Sequence, residues 1–226
     1  MLLAIDSATR TLSLALHDGQ RIHAESTWNT SNRHTVELSP AIHKMVTGAG
    51  ITFADLKLIA VSQGPGSFNG LRIGISLAKG LAMAINSPLI AIPTLDIIAF
   101  AQPPAKGALI AVAQAGRGRV CAQTYRWKKT EWVGQDDTQI VSWENLLSPI
   151  KSHTVICGEI DAEGQSAIEY SSTERAKPIE IASPTLSLRR AGFLAELGWK
   201  RWREGQPSEP ALVVPLYLHQ PGVPHP

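Results

Sequence analysis

The sequence predicts a mixed α/β protein made of two halves with the same plan. Three observations carry that prediction. A strand–strand–strand–helix–strand–helix order occurs twice, Pro103-Pro104 separates the two occurrences, and the apolar pattern alternates between strand and helix periods along the chain. With 226 residues the chain is long enough to give each half its own core.

In the first half, residues 2–6 form an apolar run and 11–18 alternate with period two. Asp18-Gly19 marks a turn into a third strand beginning at Arg21. A helical segment follows from about Asn32 to Val46, with Leu38, Ala41, Ile42 and Met45 on one stripe. Pro40 leaves two readings open: a regular helix starting at Ser39-Pro40, or a longer helix kinked there. Residues 56–62 read as a buried strand, 68–86 as a second helix, 88–92 as a strand, and 94–102 as a short helix stopped by the two prolines.

The order then restarts. Residues 108–115, 119–127 and 138–143 read as strands, 143–150 as a short helix, 154–159 as a strand and 162–171 as a helix. A last helix, 186–204, follows the start signal Ser183-Pro184 and is expected to pack back on the first lobe. The organisation expected is an N-terminal lobe over 1–103 completed by that helix, a C-terminal lobe over 104–185, and a cleft between them. A proline-rich tail over 205–226 either wraps a partner or stays disordered.

Composition narrows the function classes. The chain is 44% hydrophobic and 18% charged, with a formal net charge of only +2. Phosphate neutralisation supplies most of the affinity of a protein that holds nucleic acid alone, so this chain is a poor candidate for gripping RNA unaided. The first residues reach Asp6 with no basic leader, and Lys79 and several glycines interrupt the longest apolar helix. Neither a signal peptide nor a membrane span is therefore expected. Cys121 and Cys157 sit in separate apolar runs and read as buried free thiols of a cytosolic protein.

The stretch Ser62–Gly74, "SQGPGSFNGLRIG", carries the main functional question. A Walker loop needs Gly-Lys-Ser/Thr at its end, but here Gly70 is followed by Leu71 and Arg72. A dinucleotide fingerprint fails because Asn69 stands where its third glycine belongs. Ser67 remains a good helix cap, and a helix N-terminus attracts anions. The competing account is packing. Gly70, Gly74, Ala78 and Ala82 recur every four residues as a flat face that another helix can approach, beside an apolar stripe of Ile73, Leu77, Leu81 and Ile85. The periodicity favours packing.

Other chemistry signals are weaker. Asp6, at the end of the first strand, either holds a metal near phosphates or forms the turn with Ser7. His34 and Glu37 share a helix face but His43 points elsewhere, and no zinc spacing occurs; these are helix-surface or interface residues. No Ser-His-Asp or Cys-His order stands out. In "GWKRWREG" (198–205), Trp199 and Trp202 alternate with Lys200, Arg201 and Arg203. Such interleaving can stack on RNA bases. The favoured account is that the cations oppose the helix dipole while the indoles anchor one face.

Together "LLAIDSATRTLSLAL", "HTVELSPAI", "AVSQGPGSFNGLRIGISLAKGLA" and "VPLYLHQP" resemble the TsaB (YeaZ) family. The resemblance is dense over the first hundred residues and loose in the second half. The glycine stretch is its most specific part, with Asn69 where the family usually has Thr. The resemblance implies a two-lobed actin and heat-shock-ATPase-like (ASKHA) fold and a cytoplasmic bacterial protein with no catalysis of its own. It further implies a required partner of TsaD, which moves a threonylcarbamoyl group onto an adenosine beside the tRNA anticodon. The TsaE ATPase joins that complex, and TsaC-type enzymes supply the activated group; tRNA is met only through the complex. No cofactor and no metal are expected. The His-x-x-x-His metal pair of TsaD-like relatives aligns with Thr94 and Ile98, and an acidic residue common in the family is replaced by Gln114.

The resemblance also places the TsaD contact, as a helical bundle, on the first two helices. The residues expected there are His34, Glu37, Leu38, Ala41, Ile42 and Met45 from the first, and Leu71, Arg72, Ile75, Ala78, Lys79 and Ala82 from the second. A patch of this kind also predicts self-pairing through the same surface. Two enzymatic alternatives remain: a nucleotide-dependent kinase or ATPase and, behind it, a metallopeptidase. For the former, Asp6, Gly64, Gly66 and Ser67 would bind a nucleotide weakly, and Asp136, Asp137, Glu159 or Asp161 would have to supply the further carboxylate.

Overall fold

An apolar run followed by an alternating one produces a central sheet. The computed structural model describes residues 1–31, 33–206 and 209–218. In it β1 (Leu2–Asp6), β2 (Thr11–His17) and β3 (Ile22–Asn29) form an antiparallel meander, and β4 (Leu58–Gly64) and β5 (Leu89–Pro93) add in parallel, giving the order β3-β2-β1-β4-β5. β1 and β4 are buried along nearly their whole length, as expected for strands covered on both faces. Helices α1 (His34–Gly48) and α2 (Phe68–Ala84) pack beside each other against β2 and β4. Pro40 lies inside α1, so the longer of the two helices open from sequence is the one formed; the expected start at Asn32 falls outside the described residues.

Helix α3 (Thr94–Phe100) leads into the second sheet. There β6 (Ala108–Gly116) and β7 (Arg119–Lys128) form a hairpin, joined by β8 (Glu131–Gly134) and β9 (Gln139–Ser142), both paired with β7. After α4 (Trp143–Leu147), β10 (Thr154–Gly158) runs parallel to β6; after α5 (Ala162–Thr173), β11 (Ile179–Ile181) runs parallel to β10. The order β11-β10-β6-β7-β8 repeats the plan of the first sheet, an antiparallel meander extended by parallel strands. The duplicated βββαβα order is thus present, with β8 and β11 as additions the sequence reading did not contain.

Two compact units result. One holds Met1–Ile97 with Arg189–Leu216, the other Ile98–Leu188 with Tyr217 and Leu218, among the described residues. The core of the first is built on Leu3, Ile5, Leu14, Leu38, Ile59 and Ile75, that of the second on Val112, Val120, Trp143, Ile156 and Ile168. The division falls within α3, ahead of the proline pair.

The helix expected over 186–204 is two helices, α6 (Pro184–Ser187) and α7 (Ala191–Arg203). The chain turns extended at Leu188 (ψ 119°) and Arg190 (ψ 136°), which lets Arg189 reach inward to Asp6. Helix α7 then packs on β1, β2, β4 and β5. Beyond it, a strap over 209–216 lies along α2. Its short helical turn Pro210–Leu212 contacts that helix, Val213 is buried, and the Leu216 amide donates to the Gln63 carbonyl at 2.8 Å. Pro207, Pro221, Pro224 and Pro226 of the tail lie outside the described residues.

Candidate functional site

The β1–β2 turn and the glycine turn before α2 are bonded to each other, and that bonding decides what they can do. The Ser67 amide donates to the Ala8 carbonyl at 2.6 Å, and the Ser67 hydroxyl caps α2 by accepting from the Gly70 amide at 3.3 Å. A Cβ added to Gly66 would lie 2.1 Å from the Ala8 carbonyl oxygen, and one added to Gly74 2.0 Å from Ser7 Oγ. Gly64, with φ +114°, faces the Leu216 carbonyl of the strap. The glycines are therefore spent on close approaches within the chain. Of the small face, Gly70 and Gly74 meet Ser7 and His34, and Ala78 and Ala82 lie in the core, where the sequence reading expected another helix to approach.

Asp6 is likewise committed. It is fully buried; Oδ1 accepts from the Ala8 amide at 3.0 Å, and Oδ2 accepts from Arg189 Nε at 2.5 Å. Arg189, itself buried, also donates to Thr9 Oγ1 at 2.8 Å and to the Thr11 carbonyl at 3.3 Å. A carboxylate neutralised by a fixed guanidinium has little pull on a metal–nucleotide pair. Among the described residues no group of three His, Cys, Asp or Glu is placed to hold a metal.

Three of the four acids considered in the second unit, all but Asp137, are bonded locally. Asp161 caps α5 by accepting from the Gly164 amide at 2.8 Å, Asp136 accepts from the Thr124 amide at 2.9 Å, and Glu159 accepts from the Gln114 amide at 3.0 Å. Gln114 thereby fastens β6 to the end of β10. Thr94 is fully buried with no partner for its hydroxyl, and Ile98 is buried. Burial pushes the Cys121 thiol up to about 11 and the Cys157 thiol higher still, so neither offers a thiolate at neutral pH.

Most residues expected at a docking face turn inward. His34, Leu38, Ile42, Leu71, Ile75, Ala78 and Ala82 are all at most 4% exposed. They belong to the core because the apolar and small stripes of α1 and α2 face their own sheet. Ala41 and Met45 are half-buried against that core, as are Ile73, Leu77, Leu81 and Ile85, the apolar stripe beside the small face. Glu37 accepts from Trp28 Nε1 at 2.9 Å. Lys79 clasps the strap, donating to the carbonyls of Ala211 and Val213, each at 3.1 Å. Arg72 alone of the twelve is fully at the surface, its guanidinium 3.6 Å from the Phe68 ring centroid.

The outer surface of the same elements carries other apolar side chains. Val36 on α1 is 56% exposed, Phe68 and Met83 on α2 are 43% and 70% exposed, and Leu212, Val214 and Leu216 project from the strap. Sequence reasoning missed them because it followed the main stripe. Their signal was apolar residues lying off that stripe, on the face an isolated helix gives to water.

Duplicated sheets of this topology, with helices α1 and α2 on the first, define the class: an α/β protein of the actin and heat-shock-ATPase type. The fold is similar to that of YeaZ from Pseudomonas aeruginosa, with a TM-score of 0.77 over 96% of this chain and 99% of that one at 24% identity. Residues 26–172 match the family model described as TsaD, tRNA N6-adenosine threonylcarbamoyltransferase. Curated relatives bear the name tRNA threonylcarbamoyladenosine biosynthesis protein TsaB. That of Escherichia coli is 32% identical over 96% of this chain and 94% of its own. That of Bacillus subtilis is 31% identical over 65% of each chain. The chain belongs to the TsaB family.

Proposed function

We propose that this chain is a non-catalytic partner subunit in the threonylcarbamoyl modification of tRNA adenosine, docking on a TsaD-type paralogue through the outer faces of α1 and α2. The observation that carries the reading is the exposure of Val36, Phe68 and Met83 on two neighbouring helices whose inner faces are already satisfied. Large apolar side chains left in water on adjacent elements mark a surface that another protein covers. The commitment of Asp6 to Arg189 and of the glycine turn to Ala8 and Ser7 supports the non-catalytic part. A TsaE-type ATPase joins the assembly, tRNA is engaged through the complex, and the setting is the cytoplasm. In the absence of the paralogue the same face pairs two copies of the chain.

The test is reconstitution. The paralogue alone, this chain alone, and the mixture are supplied with the activated threonylcarbamoyl donor and tRNA. Transfer is expected from the mixture and not from this chain alone. Transfer, ATP turnover or stoichiometric metal in this chain alone would contradict the proposal.

A further inference from the structure

The motif around Trp199 has a role that docking does not absorb. The last turns of α7 and the β2–β3 turn flank an open cavity of about 600 Å³ lined by His17, Gly19, Gln20, Glu196, Trp199, Lys200, Arg203 and Glu204. Its aromatic wall is ordered. Trp199 is held edge-on by His17 at 5.8 Å between ring centroids, and Gly19 lies against the indole. Trp202 lies outside that lining, 5.3 Å from Trp199 and tilted by 58°, and keeps 36% of its surface open.

Anchoring of α7 explains Trp199, and Arg201 is engaged by Asp96 at 2.5 Å. Opposition to the helix dipole accounts for cations anywhere in the last turn. Neither explains an indole left in water beside a cavity rimmed by two cations and two carboxylates. Inorganic phosphate could use Lys200 and Arg203 but offers nothing to the indole or to Glu196 and Glu204. A nucleotide uses all of them, because its base has a π-face for the indole and amino hydrogens for the carboxylates, while its phosphates suit Lys200 and Arg203.

We propose that this cavity binds one unpaired nucleotide of an RNA strand, with an amino-bearing base (adenine, cytosine or guanine) against the Trp199–Trp202 pair and flanking phosphates at Lys200 and Arg203. The small net charge makes this a weak contact, with a dissociation constant on the order of 10⁻⁴ M at low salt. It stands on the α7 geometry and is independent of the docking reading.

The experiment titrates the full chain into fluorescently labelled oligo(C) and oligo(U) at about 50 mM salt, followed by anisotropy. The two pyrimidines present similar ring area, but only cytosine carries an amino group. Tighter binding of oligo(C) is expected, and Trp202→Ala lowers that affinity about tenfold. The paired change Lys200→Ala and Arg203→Ala flattens the log–log salt dependence by roughly 1.4. Glu196→Gln with Glu204→Gln removes the preference for cytosine. All these positions are at least partly open to solvent, and circular dichroism and thermal melting confirm that each variant folds. Absence of RNA binding overturns the proposal. So does binding that responds to the charge changes alone, with Trp202→Ala and the cytosine preference unaffected, since that is non-specific attraction.

Discussion

Asp6 and Arg189 show how one residue pair fixes the β1–β2 turn. They are 183 positions apart, both buried, and bonded to each other and to the β1–β2 turn. Removing one partner strands the other charge, so Asp6→Ala should cost about 3–5 kcal/mol in urea unfolding, and adding Arg189→Met should recover part of it. Gly74→Ala places a methyl onto Ser7 Oγ and should cost about 1–3 kcal/mol, with partial rescue by Ser7→Ala. His17 supplies a pH dependence. Burial outweighs the attraction of Glu196 and Asp18 and holds its pKa below the ordinary 6.5, while Nδ1 accepts from the Gly19 amide at 3.1 Å. Above pH 6.5 the ring is neutral whether folded or not. Below it the unfolded chain takes up the proton first, so stability falls from pH 6.5 down through the lowered folded value. Melting temperatures measured across pH 7.5 to about 5 should show that loss, and His17→Gln should flatten it.

At the scale of elements, much of the fold was legible because its signals are local. An apolar run located β1, a period-two run located β2, the stretches after the two prolines located β6 and β7, and Ser67 announced the start of α2. β8 and β11 escaped because they are four and three residues long, and the latter alternates only as Ile-Glu-Ile. The small face of α2 was visible as a pattern, but a four-residue repeat states that something approaches closely and not what does. The β1–β2 turn supplies that neighbour through Ser7, which no periodicity in α2 encodes. The strap was read as a proline-rich tail because its attachment depends on Lys79, Gln63 and Val213, three long-range contacts. Lys79→Met should therefore loosen the strap without unfolding the sheet. Faster hydrogen exchange at the Leu216 amide, with little change at β1, is the expected signature.

Over the whole molecule, the distribution of apolar surface separates folding from function. A charge placed at Ala78 or Ala82 enters the molecule's own core, so loss of a complex in such variants would report misfolding and not docking. Val36 and Met83 are the positions that distinguish the two, since both are more than half exposed. The direct measurement is light scattering on the chain mixed with its TsaD-type paralogue, comparing the native chain with Val36→Glu and Met83→Glu, each first shown to melt like the native protein. A one-to-one complex for the native chain, weakened at least tenfold by either substitution (about 1.4 kcal/mol), is the predicted result. A complex of undiminished affinity in both variants would place the contact elsewhere and contradict the account.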